Sequence, residues 1–208
     1  MALPTPLAYW PLNEGNGTDL ADATGNGHGA TVTNGTWVAG KFGAGLGNSS
    51  DSHAATFTAI ALALLYSVSL WIKGWDGSND GVVIGGAAGH YAFYLDATTI
   101  YHSASSSFTS VAHGGGLSDG AWHHLAVTRN AGNMQFYKDG VPLGASQTIG
   151  NANVLTLSSL LGYAGGTYGF VAQADDVRLY DVELTTAQIA ELAALVPAGG
   201  CPALLLAV

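Results

Sequence analysis

Short apolar segments alternate with turn-forming residues along most of this 208-residue chain. Residues 67–73 place apolar side chains at alternate positions, which is the period of a strand that buries one face. Runs rich in glycine, asparagine and serine separate such segments at short spacing. Strands are predicted at 7–12, 67–73, 81–84, 90–95, 98–102, 122–129, 133–138, 155–161, 170–174 and 177–180. The pattern predicts an all-β fold, a two-sheet antiparallel jelly-roll sandwich.

Two local signals add detail to this architecture. Asp139 and Gly140 stand between apolar segments and suit the positive φ angles of a type I′ hairpin turn. Residues 186–195 carry a helical apolar period, and Thr185 and Gln188 have the spacing of a capping box. We therefore expect one short C-terminal helix after the last strand.

The chain divides by composition at Pro197. No linker or repeat precedes this residue, so residues 1–196 are expected to form one domain. Residues 197–208 end in CPALLLAV, an apolar tail that is too short to span a bilayer. Because an exposed run of leucines would promote aggregation, the tail is predicted to contact another subunit or the sandwich itself. The single cysteine, Cys201, lies in this tail and has no partner for a disulfide.

Residues 54–72 contain no charged side chain, which raises the alternative of a membrane span. Threonine and serine residues interrupt the run, and from residue 67 onward the alternation is that of a strand. We therefore expect no membrane insertion. The sequence leaves two alternatives for residues 59–65, a short helix or a buried connection.

Charge excludes two classes of partner. The chain has 14 acidic residues against five lysines and arginines, which gives a net charge of −9, and the five are scattered. No basic stripe is available to neutralise phosphates, so nucleic acid and anionic membranes are not expected partners. With 48% hydrophobic and 9% charged residues, the composition is that of a folded chain rather than a disordered one.

Five segments, in this order, resemble the laminin-G-like domains of the concanavalin-A-like lectin/glucanase superfamily. They are LAYWPLNEGNGTDLADATGNGHG, TWVAGKFGAGL, SVSLWIK, DGAWHHLAVTRNAGNMQFYKDGVPLG and FVAQADDVRLYDVELTTAQIAEL. The resemblance covers roughly residues 7–195 and implies the same jelly-roll sandwich. It departs from the family at the apolar stretch 54–65 and at Ala172, where a glycine is usual.

The loop DATGNGHG, residues 22–29, contains glycine at every second position of its second half. A phosphate-binding loop needs a following helix and a lysine, and the residues that follow supply neither. The resemblance instead implies that the loop meets the Asp-Asp pair of the closing strand around a structural Ca²⁺, with Asp22, Asn26, Asp175 and Asp176 as ligands. In the alternative, Asp22 caps the turn by hydrogen bonds alone.

Catalysis is not expected. Glycoside hydrolysis needs two carboxyl groups about 5 to 10 Å apart. The glucanases that this chain resembles carry them in a Glu-x-Asp-x-x-Glu motif, which the sequence lacks, and it has no Gly-x-Ser-x-Gly nucleophile elbow.

Aromatic residues in predicted loops and near strand ends are candidates for stacking on sugar rings. The resemblance implies weak glycan recognition at some cluster of them, helped by neighbouring polar side chains. In the alternative, each ring covers the core. The candidate ligand-binding residues are Trp75, Asp76, Asn79, Tyr91, Tyr101, Tyr163 and Tyr168.

These observations favour a non-enzymatic binding or structural protein. The apolar tail, the initial methionine and the lack of a recognisable signal peptide fit a virion component, such as a phage capsid decoration or fibre protein. Its expected partners are other subunits of a homo-oligomer, capsid protein, and cell-surface or mucosal glycans. The alternative is a secreted carbohydrate-binding module of a larger extracellular protein or enzyme. Either function places the protein in a virion or outside the cell.

Overall fold

The computed structural model describes residues 2–87, 89–105, 107–149, 153–163 and 168–196. These residues form strands that are short and closely spaced, followed by one helix. In chain order the elements are β1 (Ala8–Trp10), β2 (Asp19–Leu20), β3 (Ala30–Val32), β4 (Thr36–Ala39), β5 (Ala44–Asn48), β6 (Ala55–Leu62), β7 (Leu65–Lys73), β8 (Gly81–Gly85), β9 (His90–Leu95), β10 (Thr99–Ala104), β11 (Ser107–Ala112), β12 (His123–Asn130), β13 (Asn133–Lys138), β14 (Val141–Thr148), β15 (Leu155–Leu160), β16 (Ala172–Tyr180) and α1 (Thr186–Ala193).

The strands form two antiparallel sheets that enclose a shared apolar core. Sheet A has the strand order β14-β13-β12-β7-β16-β5-β4, and β1 also pairs with β16. Sheet B has the order β11-β10-β9-β8-β15-β6-β3-β2. Side chains from the two layers meet between them: Trp10 of β1 packs on Phe57 of β6 with ring centroids 4.6 Å apart. The predicted all-β jelly-roll sandwich with one short helix is confirmed.

Strand β16 is continuous where two strands, 170–174 and 177–180, were expected. Relative to β7 it holds one extra residue between Asp175 and Arg178, and Asp176 has a φ of 52°. The extra residue is a β-bulge. Acidic residues are uncommon in strands, so the Asp-Asp step had the pattern of a break.

The apolar stretch left open between helix and connection belongs mainly to β6. This strand lies inside sheet B, between β15 and β3, and buries Ile60 and Leu62. Its lack of charge therefore reflects its place in the sheet. Among the described residues, no helix has the length and hydropathy needed to cross a membrane.

Helix α1 begins as predicted. Thr185 Oγ1 accepts from Gln188 N at 3.3 Å, and Gln188 Oε1 accepts from Thr185 N at 2.9 Å, so the capping box is present. Buried Ile189 and Leu192 pack in a cluster with Tyr180 of β16. This cluster is separate from the main core and fixes α1 on sheet A.

The predicted hairpin is also present. Asp139 and Gly140 connect β13 to β14 with φ angles of 51° and 81°, as a type I′ turn requires. The tail at 197–208 lies outside the described residues, so its predicted contact stays a prediction.

Candidate functional site

The loop that starts at Asp22 is closed by hydrogen bonds. Asp22 Oδ1 accepts from the backbone N–H groups of Tyr9 (3.1 Å) and Thr24 (3.0 Å) and from the Thr24 hydroxyl (2.7 Å). Its Oδ2 accepts from His28 N at 3.0 Å. Burial alone would raise the pKa of this carboxyl, but these bonds lower it below its ordinary value. Asp22 therefore ties β1 to the glycine-rich turn.

Asn26 and Asp175 have partners in different parts of the fold. Asn26 Nδ2 donates to Leu7 O at 2.9 Å, which holds the turn against the chain entering β1. Asp175 Oδ2 accepts from Phe42 N at 2.8 Å, in the turn between β4 and β5, and its Oδ1 accepts from Asp176 N at 2.8 Å. Burial raises the pKa of Asp175 to about 6 despite these bonds.

Asp176 is the centre of an ion-paired cluster. Its Oδ1 accepts from Tyr9 OH at 2.7 Å and from Arg178 Nη2 at 2.9 Å. The Arg178 guanidinium lies over the Tyr9 ring, 4.3 Å from its centroid. Burial, and then the Asp176 charge, raises the pKa of Tyr9 to about 12, so its hydroxyl keeps its proton. The positive charge beside Asp176 is already supplied by this chain.

Two of the predicted calcium ligands, Asp22 and Asp176, already have hydrogen-bond partners within the chain. Tyr9 touches both, through its backbone N–H to Asp22 and its hydroxyl to Asp176. Among the described residues, however, no three His, Cys, Asp or Glu side chains are grouped to hold a metal ion. The Asp22 oxygens face N–H and O–H donors, and Asp176 faces a guanidinium, so this donor set does not fit Ca²⁺ as it stands. The geometry favours the alternative in which hydrogen bonds close the loop, and calcium stays a prediction.

A pocket of about 450 Å³ opens beside this cluster. We call it the Tyr9 pocket. It is lined by Tyr9, Asn13, Phe42, Gly43, Asp176, Arg178, Leu195 and Val196. Its two charged side chains are bonded to each other.

The three candidates on the loop after β7 are Trp75, Asp76 and Asn79, of which Trp75 is buried and Asp76 is exposed. The Trp75 ring is 2% exposed and packs against Phe170, with centroids 5.7 Å apart. Its Nε1 donates to Asn79 O at 2.8 Å, and Asp76 Oδ1 accepts from Ser78 N at 2.9 Å. The loop is therefore held by its own contacts, and the indole closes the core instead of offering a face to a sugar.

The tyrosine candidates are brought together on sheet B. A groove of about 330 Å³, here called the tyrosine groove, is lined by Val82, Gly89, Tyr91, Tyr94, Tyr163 and Tyr168. The Tyr94 ring is at the centre of the aromatic contacts. Its centroid lies 5.6 Å from that of Tyr91, 5.7 Å from that of Tyr101 and 6.4 Å from that of Tyr168. Tyr168 is 55% exposed at the rim.

A β-bulge in β9 places Tyr91 and Tyr94 on one face. Residues three apart in a regular strand point to opposite sides. Here β10 pairs Tyr101 with Tyr94 and Ser103 with Tyr91, so β9 contains one extra residue over this interval. Ala92 and Phe93 are both fully buried as a result. The bulge turns both tyrosines away from the core.

The turn between β8 and β9 forms one wall of the groove and requires glycine. Gly89 has a φ of 79°, and a Cβ at this position would lie 2.8 Å from Ser105 O. A side chain here would meet both backbone strain and a close carbonyl.

Two carboxylates, Asp96 and Asp80, act on the tyrosines of this region. Tyr101 OH donates to Asp96 Oδ2 at 2.7 Å, and Asp96 Oδ1 accepts from Thr98 N and Thr99 N, both at 2.8 Å. Burial and then the negative charge of Asp80 raise the pKa of Tyr94, and burial raises that of Tyr91. The hydroxyls of Tyr94 and Tyr91 therefore stay protonated, whereas the proton of Tyr101 is donated in a hydrogen bond to Asp96.

Tyr94 is not among the ligand-binding residues predicted from the sequence. It was part of a predicted strand beside buried Phe93, and nothing in the local pattern indicates the bulge that exposes it. Four of the predicted residues, Tyr91, Tyr101, Tyr163 and Tyr168, do lie in or beside the groove.

Comparison with known proteins identifies the family. Residues 46–190 match the family described as the Concanavalin A-like lectin/glucanases superfamily. The chain belongs to this superfamily. The fold and the resemblance seen in the sequence are thereby confirmed. No curated protein matches the chain in sequence.

Several solved structures have a similar fold but share little sequence with this chain. Domain 4 of AbnA, a GH43 extracellular arabinanase from Geobacillus stearothermophilus in complex with arabinotriose, has a TM-score of 0.71 and 22% identity, and the match covers 91% of this chain and 98% of that one. The binding domain of Paraclostridial Mosquitocidal Protein 1 has a TM-score of 0.66 at 12% identity, over 91% of this chain and 52% of that one. Trypanosoma rangeli sialidase has a TM-score of 0.65 at 15% identity, and the match covers 91% of this chain and 32% of the sialidase. At these identities the likeness establishes the fold alone.

Proposed function

We propose that this chain is a non-catalytic glycan-binding module and that the tyrosine groove is its binding site. The observation that carries the proposal is the gathering of four tyrosine rings around one 330 Å³ groove, with Tyr101 beside them. This volume lies near the lower end of the range for small-molecule sites, about 300 to 1,000 Å³. Sugar rings present apolar C–H faces and a rim of hydroxyls, and tyrosine offers an apolar face and a hydroxyl in return.

The environment of the groove supports recognition rather than hydrolysis. Both carboxylate oxygens of Asp96 already accept hydrogen bonds, from the backbone N–H groups of its own turn and from the Tyr101 hydroxyl. Asp96 is therefore poorly placed to act as a general acid or base. The tyrosines keep their protons because burial and neighbouring carboxylates raise their pKa values. Aromatic side chains are rigid, so they also lose little rotamer entropy when a ligand binds to them.

The structural neighbours fit such a module. The arabinanase domain that resembles this chain was captured with arabinotriose, and two toxin neighbours are named as binding domains. By analogy, we propose that this protein acts outside the cell as a carbohydrate-binding module of a larger protein.

Tyr168→Ala tests the site directly. Because Tyr168 is 55% exposed, its removal leaves the core intact. With stacking worth about 1 kcal/mol, affinity for a glycan that binds the wild type should fall about fivefold. Arabinotriose and a broad glycan array are the probes, and binding is measured by calorimetry.

Phe108→Ala is the matched control, because it removes an aromatic ring that is 68% exposed on β11 and does not line the groove. Its affinity should equal that of the wild type. Absence of any glycan ligand for the wild type, or equal loss in both variants, would reject the proposal.

A second candidate is a structural role in a virion, as a homo-oligomeric decoration or fibre component bound to capsid protein. It draws support from exposed apolar side chains on one edge strand of each sheet, Phe108 of β11 (68% exposed) and Val141 of β14 (64% exposed). Val196, which directly precedes the apolar tail, is 73% exposed and lines the Tyr9 pocket. Native mass spectrometry of the full chain and of a variant lacking residues 197–208 tests this role. We expect the full chain to be an oligomer and the truncated variant to be a monomer. If both are monomers, the structural role is excluded.

A further inference from the structure

The cationic side chains of this protein are confined to one layer of the sandwich. All five lysines and arginines lie within the described residues, and each belongs to sheet A or to a turn between its strands. Lys41 follows β4, and the others lie on β7, β12, β13 and β16: Lys73, Arg129, Lys138 and Arg178. Sheet B, which carries the tyrosine groove, has none.

Contacts hold these cations where they are. Lys41 Nζ lies 4.2 Å from the centroid of the Trp71 ring, and Lys138 Nζ donates to Gly115 O at 2.7 Å. Arg178 is paired with Asp176. Gly115 lies in the loop that follows β11, so Lys138 reaches the end of sheet B, but none of these three partners, Trp71, Gly115 and Asp176, lines the tyrosine groove.

Arg129 and Lys73 complete the set. Arg129 is fully buried in the sandwich, where it donates to the carbonyls of Ala131 and Asn153. Lys73 Nζ lies 6.0 Å from the centroid of the Trp122 ring, at the end of β7. Neither is placed to reach a ligand on the outer face of sheet B.

The groove itself lies in a negative field. Tyr101 OH donates to Asp96 Oδ2 at 2.7 Å, and this bond raises the pKa of Tyr101. Burial, and after it the charges of Asp80 and Asp96, raise the pKa of Tyr94. His90, next to Tyr91 in the chain, accepts a hydrogen bond at Nδ1 from Thr156 N at 3.2 Å, so this nitrogen is not a donor to a ligand. The net charge of −9 adds to the local effect.

We propose that the tyrosine groove binds uncharged glycans and rejects glycans that carry carboxylate, sulfate or phosphate groups. The inference rests on the proposed function, since it names the ligand class of the same site. An anionic sugar would lose hydration near Asp96, which is bonded to Tyr101, and in the field of Asp80, and no lysine or arginine lines the groove to compensate. Neutral sugars meet no such cost, and the protonated tyrosine hydroxyls serve them as donors and acceptors.

A glycan array built from matched pairs provides the test. Each neutral oligosaccharide is paired with its sialylated, sulfated or uronic-acid counterpart of the same linkage, for example lactose with sialyllactose. We expect hits among the neutral members, with affinity for the anionic counterparts lower by about tenfold or more at low salt. The ratio should shrink as salt screens the carboxylates.

Two outcomes reject different claims. Equal or stronger binding of the anionic members overturns the charge selection while leaving glycan binding in place. An array without any hit overturns the proposed function, and this inference with it.

Asp80→Lys connects the selectivity to the groove. Asp80 is exposed and immediately precedes β8, so the substitution reverses one charge of the field without a change in the core. It should shrink the neutral-to-anionic ratio at least several-fold and leave neutral affinity nearly unchanged. Asp181→Lys is the matched control, because Asp181 is also exposed but follows β16 of sheet A. An equal change in both variants would mean that only net charge matters, and would contradict a selective field at the groove.

Discussion

The Tyr9 pocket and the tyrosine groove are both concave and both contain tyrosine, but they differ in where their polar groups point. In the Tyr9 pocket the hydroxyl of Tyr9 donates to Asp176, which also accepts from Arg178. In the tyrosine groove, Tyr94 contacts three other rings, and Tyr168 leaves more than half of its surface open. The first region is held together by its own charges, whereas the second presents rings to the outside.

Whether a polar side chain is paired within the chain or open to solvent distinguishes structural residues from binding residues. A buried ion pair that is complete within the chain contributes to the fold, and removing one partner is costly. Half-buried rings with open edges contribute less to stability and more to what the protein can contact. Mutations in the Tyr9 region are therefore expected to change stability, and those in the groove to change affinity.

Asp176→Ala is expected to have the largest effect on stability. Arg178 would lose its ionic partner in a nearly buried position, and the alanine would have to adopt the φ of 52° found at the bulge. The free energy of unfolding should fall by about 3–5 kcal/mol, measured by urea denaturation. Asp176→Asn keeps an acceptor and a residue type that tolerates this φ, so it should cost clearly less. Equal losses in the two variants would contradict the role assigned to the ion pair.

Asp22→Ala should have the next largest effect. Four donors would lose their acceptor, and the free energy of unfolding should fall by about 2–4 kcal/mol at roughly 1 kcal/mol for each bond. Thermal and urea unfolding measure the change. Affinity at the tyrosine groove should stay unchanged in the folded variant.

Chelation distinguishes the two interpretations of Asp22. If hydrogen bonds alone close the loop, excess chelator should leave the wild-type Tm unchanged. If a bound Ca²⁺ closes it, chelator should lower the wild-type Tm about as much as Asp22→Ala does and leave the variant unaffected.

Asp175 provides the smallest of the three effects, and it depends on pH. Burial raises its pKa to about 6 from an ordinary value of 3.8, so the native state binds its proton more readily than the unfolded chain. Its ionisation therefore costs stability above pH 6, and this cost is relieved as the pH falls toward 4. Relative to Asp175→Asn, the wild type should gain about 1–2 kcal/mol between pH 7 and pH 4 in urea titrations. Parallel pH profiles for the two proteins would contradict the raised pKa.

Much of the fold follows from local pattern. The alternation at 67–73 predicted β7, the Asp139-Gly140 pair predicted its hairpin, and the Thr185 capping box predicted the start of α1. Short strands such as β3 and β5 were missed, because their pairing with distant strands, and not their own pattern, makes them strands.

The site was predicted less completely, for two physical reasons. Trp75 has the sequence context of a loop aromatic, but its ring is buried against Phe170 at the end of the core. Tyr94 has the context of a core strand, but the bulge in β9 turns it outward. Both errors concern which way a side chain faces, and that is decided by tertiary packing and strand register.

The bulge in β9 also determines how this surface can change over time. A single-residue deletion near Ala92 would remove the extra residue of β9 relative to β10 and send one of the two flanking tyrosines into the interior. Changes of chain length would therefore remodel the surface more abruptly than any exchange of one aromatic residue for another. In a lineage of such domains, gain or loss of one residue in this strand would be a direct route to gaining or losing a ligand.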